Sequence, residues 1–238
     1  MNIILLGYGK MGRAIEQIAL DRGHSIVAKI DEPTDVIDFK NADVAIDFSL
    51  PDAAFSNISQ ALTNNIPVVS GTTGWLDRYD EAVALCQEHG GSFLYASNFS
   101  PGVNLFFKLN KYLAKLIQPY DYKPLIEETH HIHKLDAPSG TAITLAEQLL
   151  IYADHMRWVS IDSDKAPEEG LPIKSIRKDE VTGTHEITYR SEIDSISIKH
   201  EAHNRSGFAL GAVLAAEYIA DKKGIFTMSD VLGLDSLD

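Results

Sequence analysis

Two stretches of the chain carry residue types at spacings that could do chemistry. The first is Gly7-Tyr8-Gly9-Lys10-Met11-Gly12, which follows the apolar run Asn2–Leu6 and opens the amphipathic run Lys10–Arg22. In that context GxGxxG predicts a tight turn at Gly7, close approach of a pyrophosphate at Gly9 and close helix packing at Gly12. The free N–H groups of the helix start would attract the anion. Asp31 ends the next apolar run, where a carboxylate can accept both ribose hydroxyls. Glu32 follows it, and no Arg or Lys comes immediately after to receive a 2′-phosphate. NADH is therefore the expected donor, with NADPH possible; Lys29 is the nearest cation but lies within the strand. Gly71-Thr72-Thr73-Gly74 comes straight after another apolar run and is expected to line the nicotinamide crevice. The plain alternative for either loop is a glycine turn with no ligand.

The second stretch runs from Glu127 to Ala142 and places His130, His131 and His133 within four positions, out of 9 histidines in the chain. A metal site is one reading of such a cluster. No Cys accompanies it, and adjacent His130 and His131 would point to opposite faces of a continuing strand, so no metal is expected. Ser139-Gly140-Thr141 opens a helix, which makes backbone N–H groups and two hydroxyls converge where a carboxylate could sit. Lys134 adds a positive charge. In a chain with 21 Lys+Arg against 34 Asp+Glu and a formal net charge of −13, a basic cluster points to an anionic substrate. The alternative is an ordinary helix cap beside solvent-facing histidines.

The elements that must position these residues can be read from periodicity. Near-continuous apolar runs at Asn2–Leu6, Ser25–Ile30, Val44–Phe48, Pro67–Ser70 and Ser92–Ala96 predict strands covered on both faces. Between them, Lys10–Arg22, Pro51–Thr63 and Asp77–His89 carry helix start and stop signals. That alternation predicts an α/β fold with a doubly wound parallel sheet of Rossmann type. Beyond Asn98 the texture changes to a helix over Val103–Ile117, an extended Pro124–His131 and a helix from near Pro138 through Leu150. Lys174 to His203 alternates apolar and polar residues, which predicts antiparallel strands with one wet face. Asp162–Leu171 reads as a loop, and Phe208–Ala220 as a helix returning to the first domain. The expected division is a dinucleotide-binding domain of residues 1–99 plus 208–238, and a second α+β domain of residues 100–207 with a mixed or antiparallel sheet.

Composition narrows the function class. At 238 residues, with 45% hydrophobic and 8% aromatic residues, the chain is an ordinary globular one. The acidic balance argues against nucleic acid and anionic membranes. No apolar run approaches the ~20 residues of a membrane span. Met1 to Leu6 meets Gly7 without a basic flank, so no secretory signal is expected. Cys86 is the one cysteine, which excludes an intrachain disulfide framework, favours a reducing cytoplasm and, among apolar neighbours, predicts a buried helical face rather than catalysis.

These motifs, the run Ala96-Ser97-Asn98-Phe99-Ser100-Pro101-Gly102-Val103-Asn104 and above all His130-His131-Ile132-His133-Lys134-Leu135-Asp136-Ala137-Pro138-Ser139-Gly140-Thr141-Ala142 resemble the dihydrodipicolinate (4-hydroxy-tetrahydrodipicolinate) reductase family over essentially the whole chain. The resemblance implies NADH- or NADPH-dependent reduction of a cyclic imine bearing two carboxylates, in diaminopimelate and lysine synthesis. It implies His130 as the acid/base residue, and Lys134 as the cation that holds the substrate with His131, Gly140 and Thr141. Gly7, Gly9, Lys10, Met11 and Gly12 would cradle the pyrophosphate, Asp31 the adenosine ribose, and Gly71, Thr73, Ala96 and Phe99 the nicotinamide end. It further implies a homotetramer built through the sheet of the second domain. The chain departs from the family in a short segment between Asp31 and Asp43 and in Gly183-Thr184-His185, where an acidic residue usually precedes the histidine; Arg205 stands at a position that is usually basic. Two other classes stay open at this point, a non-catalytic NAD(H) sensor and a different two-domain dehydrogenase.

Overall fold

The computed structural model describes residues 1–31, 37–152, 157–162 and 169–237. The chain divides into two compact units, Met1–Pro101 with Ser206–Asp238, and Gly102–Arg205. In chain order the first unit contains β1 (Asn2–Leu6), α1 (Lys10–Asp21), β2 (Ser25–Ile30), β3 (Val44–Asp47), α2 (Pro51–Thr63), β4 (Val68–Ser70), α3 (Tyr79–Glu88) and β5 (Ser92–Tyr95). The chain then runs through α4 (Pro101–Ile117), β6 (Lys123–His130), α5 (Gly140–Leu150), β7 (Trp158–Ile161), β8 (Leu171–Arg177), β9 (Thr184–Arg190) and β10 (Ser195–Glu201). It closes with α6 (Ser206–Ile219), β11 (Gly224–Phe226) and α7 (Met228–Leu232).

The first unit is a six-stranded Rossmann-like sheet in the order β11-β5-β4-β3-β1-β2, parallel throughout. Its apolar strands feed two cores because successive side chains point to opposite faces. Ile3, Leu5, Val44 and Ile46 pack with Ile15 and Ala19 of α1 and the small residues of α6. Ile4, Leu6, Ala45 and Val68 pack with Ala54, Ile58 and Leu62 of α2 and Ala82 and Cys86 of α3. Cys86 is buried, and burial pushes its thiol up, as expected for a packing residue. Gly211 lets α6 lie against the backbone of Phe99: a Cβ there would stand 1.7 Å from the Phe99 carbonyl oxygen.

The second unit is a mixed sheet in the order β10-β9-β6-β8-β7, with α4 and α5 on one face. The expectation of antiparallel strands from Lys174 onward holds for β9 and β10 but not for β8. That strand runs parallel to both β6 and β7. Alternation reports one-sided burial and says nothing of strand direction, so the two cases look alike in sequence. The short strands β7 and β11 were not expected. Of the loop expected over 162–171, residues 163–168 lie outside the described residues, as does Glu32. Among the described residues no helix is long and apolar enough to cross a membrane.

Candidate active site

In the first unit the glycine loop wraps a cavity of about 470 Å³. Gly7, Gly9, Lys10, Met11 and Asp31 line it together, joined by Tyr8, Ile30, Phe48, Ser49, Leu50, Ala53 and Asn57, of which the motif gave no sign. Each glycine has a different reason to be one. Gly7 has φ +95°, and a Cβ there would meet the Phe48 carbonyl oxygen at 2.2 Å. Gly12 stands outside the lining, where a Cβ would meet the Gly7 carbonyl oxygen at 2.3 Å. Both therefore serve the fold. A Cβ on Gly9 meets nothing within 4 Å, so the fold leaves open space there, beside the cavity it lines. α1 starts directly after Gly9 without a side-chain cap on its first-turn N–H groups, as an anion cradle requires. Gly9→Ala is accordingly expected to keep the wild-type melting temperature and to lose about tenfold in NADH affinity, since overpacking a close contact costs ~1–3 kcal/mol. Thermal melts and NADH fluorescence titration check it; unchanged affinity would remove Gly9 from the cofactor site.

Gly71, Thr73, Ala96 and Phe99 do not line that cavity. Gly71 stands beside it, because a Cβ there would sit 2.3 Å from the Phe48 ring. Phe99 is buried, with its ring 5.5 Å from that of Phe48. Thr72, between the two glycines, is taken up by a network the sequence reading missed. Asp47, fully buried at the end of β3, accepts hydrogen bonds from Ser49 Oγ (2.6 Å), Asn57 Nδ2 (3.1 Å), Ser70 Oγ (2.9 Å) and Thr72 Oγ1 (2.8 Å). The Ser49 N–H in turn donates to Thr72 Oγ1 at 2.9 Å. Burial pushes the Asp47 carboxyl up, against the pull of these four donors. The network ties the loops after β3 and β4 to one anchor. Its signal was an acid ending an otherwise apolar run, followed by Ser49.

In the second unit, strand alternation puts Glu128 and His130 of β6 on the same face, and register sets His185 of β9 directly opposite Glu128. The His130 Nδ1 is paired with Glu128 Oε2. Glu128 is fully buried, and its other oxygen accepts from Arg177 Nη2 at 2.9 Å and from the Ser139 N–H at 3.3 Å. Burial opposes its ionisation, but His130 and Arg177 outweigh that and hold the carboxyl at about 2. The Arg177 guanidinium also donates to the carbonyls of Lys134 (3.3 Å) and Asp136 (2.6 Å), fixing the turn after β6. His185 shares a hydrogen bond of 3.0 Å with Ser139 Oγ and stacks edge-on against His130 at 5.1 Å. Burial, reinforced by the nearby His130, drives its pKa down to about 3, so it is neutral. Ser139 caps α5, the plain alternative for this residue: its buried hydroxyl accepts from the Ala142 N–H at 3.3 Å and is shared with His185 rather than left for a carboxylate.

Lys134 is paired with Asp136, its Nζ 2.8 Å from each carboxylate oxygen, and that pairing holds the Asp136 carboxyl below its ordinary value. Gly140 faces open space. Thr141 opens the same helix and is half-buried. His131 is half-buried, with its ring 6.1 Å from that of the exposed His133. Arg205 is exposed. Glu128, His130 and His185 hold atoms of metal-ligand type within 4.8 Å of one another. The Arg177 guanidinium, paired with Glu128, already supplies a positive charge to this carboxylate. Glu128, Arg177 and His185 were the residues sequence reasoning missed or left without a role.

Residues 1–99 match the family model for the N-terminus of dihydrodipicolinate reductase, and residues 102–232 that for its C-terminus. A 4-hydroxy-tetrahydrodipicolinate reductase from Christiangramia forsetii is 55% identical over 236 residues, covering 98% of each chain. One from Rickettsia rickettsii is 35% identical, covering 97% of this chain and 98% of its own. Among solved structures, a dipicolinate-bound dihydrodipicolinate reductase from Paenisporosarcina sp. TG-14 shares the fold, with a TM-score of 0.78 at 22% identity over 95% of this chain and 97% of its own. With both halves matched to one family and a relative alike from end to end, the chain belongs to the dihydrodipicolinate reductase family of NAD(P)H-dependent oxidoreductases.

Proposed function

We propose that the chain reduces 4-hydroxy-tetrahydrodipicolinate, or the dihydrodipicolinate formed by its dehydration, to tetrahydrodipicolinate in diaminopimelate and lysine synthesis. The first unit is the dinucleotide-binding domain and the second the substrate-binding one. The observation that carries this reading is the meeting of an imidazole on a buried ionised carboxylate, an ammonium and a serine-capped helix start within residues 128–141. The donor, NADH or NADPH, supplies a hydride to the ring carbon conjugated with the imine when bound. His130 provides the proton that completes the reduction. Lys134 receives one carboxylate, and the helix start at Gly140 and Thr141, with His131, receives the other end of the dianion. Neutralising both carboxylates withdraws electrons from the ring, which favours arrival of the hydride. Pyridine-2,6-dicarboxylate should bind, and NADH should be oxidised only with the imine present; an NAD(H) sensor would do neither.

The finer reading is a preference for NADH. Asp31 lines the cavity, while the Lys29 Nζ is committed to Glu16 at 2.5 Å and to the Tyr8 hydroxyl at 3.2 Å. That takes Lys29 out of reach of a 2′-phosphate and leaves Asp31 for the ribose hydroxyls, with Lys10 the lysine of the lining. Comparing kcat/KM for the two donors checks it, with the NADH value expected to be the higher. The reverse order would assign the phosphate to Lys29, Lys10 or Arg13. The working form proposed is a cytoplasmic homotetramer assembled through the sheet of the second unit. Support comes from its outer strand, where Ser195, Ile196 and Ser197 are all exposed beside an Ile193 that is 93% exposed. Light scattering reads the mass.

A further inference from the structure

Glu128 takes no part in the resemblance-derived roles and is nonetheless a fully buried acid on the strand that carries His130. Burying a charge is expensive unless it is paired and hydrogen-bonded, so such a group needs a reason. Its two oxygens are divided. One takes Arg177 and the Ser139 N–H, and the other takes His130 Nδ1. Arg177 keeps the carboxylate ionised and, through the carbonyls of Lys134 and Asp136, fixes the same turn that carries the substrate lysine.

We infer that Glu128 is a positioning residue: it holds the neutral imidazole of His130 as the Nδ1–H tautomer and so makes Nε2 the atom that exchanges the proton. This rests on the reading of His130 as the acid/base residue. An ionised carboxylate has no proton to donate, so the close contact of Glu128 Oε2 with His130 Nδ1 becomes a hydrogen bond only with the hydrogen on Nδ1. The surroundings agree. Nδ1 is buried, yet 11% of the His130 side chain is exposed, so what a substrate can reach lies towards the other edge of the ring. At that edge the residue just before β9 is a glycine: a Cβ on Gly183 would press within 3.1 Å of Nε2. His185, held neutral and bonded to Ser139, packs against the ring without competing for Glu128. A carboxylate that orients an imidazole through the nitrogen not used in chemistry is a general device for fixing tautomer and ring plane.

The test is made on the full-length enzyme with NADH bound, labelled with ¹⁵N-histidine, the His130 signals being assigned by their absence in His130→Gln. In the wild type the neutral ring is expected to show a protonated Nδ1 and a bare Nε2. In Glu128→Gln the side-chain amide can donate to Nδ1, so the signature should invert to Nε2–H, and kcat should fall about 10- to 100-fold with KM and NADH affinity little changed. Glu128→Asp, which keeps the charge, should restore the Nδ1–H signature and part of kcat. An Nε2–H signature in the wild type overturns the inference without any variant having to fold. So does a folded Glu128→Gln with wild-type kcat. Either result would leave the proposed reaction standing as long as His130→Gln is inactive; an active His130→Gln would remove the reading beneath it instead.

Discussion

His130→Gln is expected to lower kcat by about 10²–10⁴-fold, the usual loss when general acid–base help is removed, while NADH affinity stays near the wild-type value. The neutral amide cannot supply a proton, but its NH₂ group can still donate a hydrogen bond to Glu128 in the same place. Neither neighbour can replace the imidazole near neutrality. Glu128, held at about 2, stays ionised, and His185, held at about 3, stays neutral, so neither changes charge there. His131 follows the end of β6, with its ring 6.1 Å from that of His133. Stopped-flow oxidation of NADH, with affinity measured separately by fluorescence, separates the chemical step from binding. Wild-type turnover in His130→Gln would mean that the proton comes from water or from His131, and the acid/base role would be lost.

How much of this could be read beforehand follows from how local each signal is. Gly7 and Gly12 advertise a turn because the chain within a few residues demands it, and Ser139 advertises a helix start for the same reason. The four inner strands of the parallel sheet were legible as nearly unbroken apolar runs, since burial on both faces leaves few polar positions, whereas β2, read the same way, is an edge strand that alternates exposed and half-buried residues. What escaped is non-local. Arg177 meets Glu128 across 49 positions of sequence, and His185 meets Ser139 across 46. Nothing near Glu128 in the chain says that its partner is a guanidinium on a parallel neighbour. The direction of β8 escaped for a related reason: its parallel pairing with β6 depends on the connection through α5 and β7, not on its own residues. β11 has three residues and β7 four, too few for a period to show. Thr72 and Thr73 are adjacent hydroxyls of equal promise in sequence, and only the buried Asp47 decides that Thr72 is structural.

Lys134→Met is expected to weaken binding of a dicarboxylate inhibitor by about 10- to 150-fold, because a hydrogen bond to a charged group is worth roughly 1.5–3 kcal/mol and ~1.4 kcal/mol is a factor of ten. The structure shows why the lysine can do this without being part of the framework. Its partner Asp136 is 61% exposed, and ion pairs in such positions contribute only about 0–1 kcal/mol to stability. Losing the pair should leave the melting temperature close to wild type. What Asp136 does offer is a carboxylate already bound to the ammonium at 2.8 Å through both oxygens, the geometry a substrate carboxylate would take over when it displaces Asp136. In a chain of net charge −13, a dianion entering without that ammonium meets a repulsive field, so the loss should grow as salt is lowered. Calorimetric titration of pyridine-2,6-dicarboxylate into wild type and Lys134→Met, each saturated with NADH, measures the difference directly. Equal affinities would make Lys134 a solvated surface lysine, and the second carboxylate site at Gly140 and Thr141 would lose the partner that gives a dianion its orientation.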